Sequence, residues 1–74
     1  MDIVALAVAI LLSLAGPEQV EFELGRFSSE AACSAYLQSP EAVEKATQIL
    51  TEKYLAGGDK DAMAGRLFCI DKTP

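Results

Sequence analysis

The side chains able to do chemistry in this chain are few and poorly assembled. Its 74 residues contain no histidine, which removes the commonest general base and the commonest metal ligand. The thiols are Cys33 and Cys69, with no C-x-x-C pair and no basic residue beside Cys33 to lower its pKa, so redox catalysis is not indicated. Two thiolates without a histidine cannot complete a tetrahedral zinc site from one chain. Asp59-Lys60-Asp61 has the look of a cation loop, but the closing glutamate of an EF-hand begun at Asp59 would fall on Ile70. Glu21 and Glu23 lie two apart in a strand-like stretch, so they share one face and have no defined gap for acid and base. Gly57-Gly58 lacks the remaining glycines and the lysine of a phosphate loop. Tyr36 and Tyr54 read as rim residues of a core. The inventory predicts a non-enzymatic chain with no cofactor and no metal.

The two cysteines have a clearer use as a covalent tie, and the start of the chain bears on that. Ile3 to Leu12 is an unbroken apolar run, followed by the small-x-small triplet Ser13-Leu14-Ala15 and then Gly16-Pro17. An apolar segment before a small-residue cut site has the layout of a secretory signal peptide, although no Lys or Arg precedes it. Two other readings stay open, a short membrane anchor and a buried helix in a larger assembly. As a helix, Ile3–Ala15 would reach only ~20 Å against a hydrocarbon core of about 30 Å. The expected organisation is therefore residues 1–15 as a signal peptide or short anchor helix, and residues 16–74 as one small domain facing outward. That places the domain in the periplasm or outside the cell, or anchored to a membrane and facing outward. In an oxidising compartment an even cysteine count in a small domain reads as a disulfide, here Cys33 with Cys69; buried free thiols are the alternative in a reducing one. Closing a loop of that length would stabilise by about 4 kcal/mol in the chain-entropy account.

Charge narrows the partners. Eleven acidic residues stand against six basic ones, a formal charge of −5. The bases are scattered singly, so no patch exists to displace counterions from a phosphate backbone or to hold an anionic lipid surface. Nucleic acid is not an expected partner, and a membrane is one only through residues 3–15 if these are retained.

Behind residue 16 the pattern predicts strand, helix, helix, strand. Val20-Glu21-Phe22-Glu23-Leu24 alternates with period two, as a half-buried strand does. Ser28 or Ser29 can cap a helix with Glu30 in its first turn, and Ala32, Cys33, Tyr36 and Leu37 then share a face. Ser39-Pro40 starts a second helix running to about Ala56, with Val43, Ala46, Leu50 and Tyr54 as its core stripe and Ile49 beside them. Glu41 and Lys45 are spaced as an i, i+4 pair on its outer face. Gly57-Gly58 stops it, Asp59 to Gly65 reads as a polar loop, and Arg66-Leu67-Phe68-Cys69-Ile70 as a second strand. The expected fold is a small α+β domain in which a two-stranded antiparallel sheet carries both helices on one face, tied by the disulfide and preceded by an apolar N-terminal helix.

If Cys69 faces the helices to meet Cys33, then Phe68 and Ile70 face away from them. Either the chain's own N-terminal segment or tail covers them, or they form a surface for a protein partner or a second copy. The acidic edge at Glu21 and Glu23 is a further candidate for such a contact. Phe27-Ser28-Ser29-Glu30-Ala31-Ala32-Cys33, with the late Cys69, resembles small exported bacterial proteins that begin a helix with F-x-S-x-x-x-C. The resemblance implies a periplasmic or secreted domain and transfers no catalytic residue. The expectation is a small exported binding or accessory module, with a membrane-tethered subunit of a larger complex, its N-terminal apolar helix retained, as the alternative.

Overall fold

The computed structural model describes residues 2–72. Strand β1 spans Ile3–Ser13, β2 Gly16–Phe27, helix α1 Glu30–Leu37, α2 Pro40–Lys53 and β3 Asp61–Asp71. The three strands form one antiparallel sheet in the order β2-β1-β3. Both helices lie on one side of it.

This corrects the expected architecture at its front end. The apolar run is no helix but the middle strand, paired on both edges, and the sheet has three strands rather than two. The stretches around Val20–Leu24 and Arg66–Ile70 do not pair with each other, because β1 lies between them. Two physical reasons stand behind the difference. A strand buried on both faces also reads as a continuous apolar run, which periodicity cannot tell from a helix. And the small residues that resemble a cut site make a hairpin: Ser13 pairs with Gly16 around Leu14-Ala15. Among the described residues none other than glycine has positive φ, so Gly16, at φ 108°, supplies the left-handed position that brings β2 back along β1. The amide of Ala15 donates to Ser13 Oγ at 3.2 Å across the same turn. Among the described residues no helix is long and apolar enough to cross a membrane, so the helical N-terminal anchor is not found.

Alternation along β1 sorts its residues between the faces. Ile3, Ala5, Ala7, Ala9 and Leu11 are buried beneath the helices, the first three with Leu24 and Cys33, the last two with Val20. Phe22, Phe27, Tyr36, Leu37, Leu67 and Cys69 pack around the first group, and Leu50, Tyr54 and Leu55 around the second. Two ring pairs join sheet to helices: Phe27 with Tyr36, centroids 5.2 Å apart, and Phe22 with Tyr54 at 6.0 Å.

The helix starts follow their caps. Ser29 accepts from the Ala32 amide at 3.2 Å, and Pro40 occupies the first turn of α2 after Ser39. Ser39 takes the cap position but turns its hydroxyl back, donating to the Tyr36 carbonyl at 2.6 Å. Helix α2 ends at Lys53, earlier than expected, and the left-handed Gly58 (φ 73°) belongs to the turn that follows. Val43 is 56 % exposed and lies outside the core, whereas Ala42 is fully buried. Lys45 does not pair with Glu41; its ammonium donates to the Leu24 carbonyl at 2.6 Å. Leu24 is the extra residue of a bulge in β2, opposite the Ala5/Leu6 step, where the ladder leaves backbone groups for other partners. The segment expected as a loop from Asp59 to Gly65 is already strand from Asp61 onward, with Met63 the extra residue of a second bulge.

Candidate functional site

Cys33 and Cys69 form a disulfide, their Cα atoms 6.3 Å apart. That separation is within the ordinary range for the bond. Cys33 is fully buried on α1, and Cys69 sits on the helix-facing side of β3 opposite Ala5. The bond ties α1 to β3 across a sequence separation of 36 residues. It leaves no free thiol among the described residues.

The other four candidate residues come together on the opposite face of the sheet. Register sets them out in rows across β1. Val4 stands between Arg26 and Ile70, Leu6 between Glu23 and Phe68, Val8 between Glu21 and Arg66, and Ile10 between Gln19 and Ala64. Phe68, Ile70, Glu21 and Glu23 therefore share one surface with the even-numbered half of β1. The chain's own N-terminal run does not fold over Phe68 and Ile70, because it lies beside them in the sheet. What the two-strand arrangement missed is the middle of this surface: Val4, Leu6, Val8, Ile10 and Leu12. An apolar run with no polar alternation fits a strand with both faces dry, but the pattern alone does not separate that strand from a helix.

The five residues are graded along the strand. Val4 and Leu6, flanked by long neighbours, are 0 % and 5 % exposed; Val8 and Ile10 are half-buried; Leu12 is 44 % exposed near the hairpin. The surface is thus an apolar stripe with polar rims. On the β2 rim, Arg26 bridges Asp2 and Glu23, both at 2.8 Å. The hydrogen bond and charge of Glu23, followed by the charge of Asp2, raise the pKa of the Arg26 guanidinium above its already high ordinary value. On the β3 rim, Arg66 lies over the Phe68 ring with its guanidinium carbon 6.0 Å from the centroid. Neither Glu21 nor Arg66 belongs to the ion pairs found among the described residues, which are Arg26 with Asp2 and with Glu23, and Lys60 with Glu18.

A concavity lies on the helix side, a cleft of about 280 Å³ between α2 and the sheet. Its lining is mostly apolar, with Ala7, Ala9, Phe22, Ala46 and Leu50 among it, and Thr47 and Arg66 are its residues with polar side chains, too few to orient a small ligand from several sides. No group of three or more metal-binding side chains exists among the described residues. Fold and surface together define a class: a disulfide-tied ββααβ domain with one sheet face covered and the other open. Comparison with protein-family models, curated proteins and solved structures finds no match. The open face is therefore read from its own chemistry.

Proposed function

We propose that this chain is a small non-enzymatic binding module of an oxidising compartment, periplasmic or extracellular, and that it engages a protein partner through the open face of its sheet. One observation carries the reading. The middle strand is apolar on both faces, and the helices cover only one of them. A strand that faced water on one side would alternate, as β2 does with Gln19, Glu21 and Glu23 on its open side. An apolar centre bordered by charged rims is also the anatomy of a protein contact.

The edges of the sheet are less suited to that role. Each outer strand carries a bulge, at Leu24 in β2 and at Met63 in β3, and β2 has Pro17 at its second position. Bulges and proline at an edge disfavour the addition of another strand. The disulfide supports the oxidising compartment. In this fold residues 3–13 act as structure, so a chain cut after Ala15 would lose the strand that joins the other two.

The test is a photo-crosslinking amino acid placed at Ile10 and, as a control, at Gln48 on the exposed side of α2, in cells that produce the protein. The reading expects adducts from position 10 that Phe68→Glu removes, and none from position 48. Absence of adducts at position 10, or adducts indifferent to Phe68→Glu, would overturn it.

A further inference from the structure

From the charge pattern on the open face, we infer that its occupant is a second copy of this chain, stacked face to face about a two-fold axis running along β1. The inference rests on the open face being a docking surface and goes on to name what docks there.

The register decides the symmetry. Glu21, Val8 and Arg66 stand level across the three strands, acid on the β2 side and base on the β3 side. Both charged residues are exposed, and neither is among the ion pairs found within the described chain. A two-fold axis along β1 lays β2 of one copy over β3 of the other and keeps every level in place. Val8 then meets Val8, Ile10 meets Ile10, and each Glu21 meets the other copy's Arg66, twice by symmetry. An axis across the strands at the level of Val8 would instead set Glu21 on Glu21 and Arg66 on Arg66. The face is self-complementary in the first arrangement and self-repelling in the second.

The dimensions agree. Aligned sheets pack about 10 Å apart, a gap that a glutamate and an arginine reaching from opposite sides can close, and cross at about 30°. Because Glu21 and Arg66 lie only one strand from the axis, that rotation displaces them by only ~2 Å. Three strands of about eleven residues present a face of roughly 500 Å². Two such faces cover on the order of 1,000 Å², the size at which specific association begins. Glu23 and Arg26, already paired with each other, lie over Phe68 and Ile70 of the other copy and close the rim without leaving a charge unpaired.

Sedimentation equilibrium of the full chain, its disulfide intact, tests the arrangement. Circular dichroism serves as the fold check for Ile10→Lys, Glu21→Arg, Arg66→Glu and the charge-swapped double variant. The wild type should dimerise with concentration, Ile10→Lys should abolish the dimer, and each single reversal should weaken it about tenfold or more by setting like charges together. The double variant should recover it, because the swap restores both pairs. A wild type that stays monomeric at all concentrations overturns the inference, and so does a dimer that Ile10→Lys leaves intact. A dimer lost in Ile10→Lys but not recovered by the double variant overturns the two-fold arrangement while leaving the open face as a docking surface. The crosslinking at position 10 judges that surface separately, since it registers a partner of any mass.

Discussion

Replacing Leu11 by alanine separates a structural N-terminal strand from a removable leader. Leu11 is fully buried, packed with Ala9 and Val20 and enclosed by Leu50, Tyr54 and Leu55 from α2 and the turn after it. Truncating a leucine in such a site costs about 3–5 kcal/mol, the lost transfer energy plus the cavity left behind. The upper part of that range applies here. Leu11 sits on the middle strand, held by pairing on both sides to Glu18 and Ala62, so its backbone cannot easily shift to fill the gap. In a domain of this size each kcal/mol lowers the thermal midpoint by about 4–8 °C. Leu11→Ala should therefore lower it by roughly 15 °C or more with the disulfide intact, read by circular dichroism on wild type and variant in the same buffer. An unchanged midpoint would refute the reasoning, because it would mean that residue 11 is absent from the folded core.

Alkylation of the native protein without reductant should add no alkyl group at Cys33 or Cys69, and reduction should destabilise it by about 4 kcal/mol, measured by urea unfolding; two groups added to the native chain would contradict the bond. Gly16→Ala meets no atom within 4 Å at its new Cβ, so its cost is backbone strain alone, about 1–2 kcal/mol at φ 108°, and a stability equal to wild type would show that the hairpin does not take this turn.

Much of the second half of the chain was legible from local signals. Ser29, Glu30 and Pro40 marked helix starts through capping and ring geometry, and those starts are where the structure has them. The disulfide was legible because a small domain with two core-facing cysteines has a single intramolecular pairing available. The separation of Leu67 and Cys69 from Phe68 and Ile70 followed from strand alternation and is seen. The role of the first thirteen residues was not legible. An apolar run without polar punctuation is consistent with a leader, a buried helix or a doubly buried strand, and only pairing partners far along the chain separate them. Met1 to Asp2 and the hairpin at Leu14-Ala15 carry no local mark that decides it. The bulge at Leu24 also escaped, and with it the reach of Lys45 to the Leu24 carbonyl in place of Glu41. The candidate surface was half visible: Phe68, Ile70, Glu21 and Glu23 were found as two separate edges. Placing β1 between them makes them rims of one face and supplies its apolar centre.

Ile3–Ser13 is the middle strand of the folded domain, and amide hydrogen exchange of the purified protein measures that directly. Amides of Val4 to Leu11 bond into a ladder on either side and should be the slowest in the chain, slower than those of the outer strands, with protection approaching that of global unfolding. Rapid exchange throughout that stretch, or its absence from the folded protein, would contradict the fold and the docking face built on it.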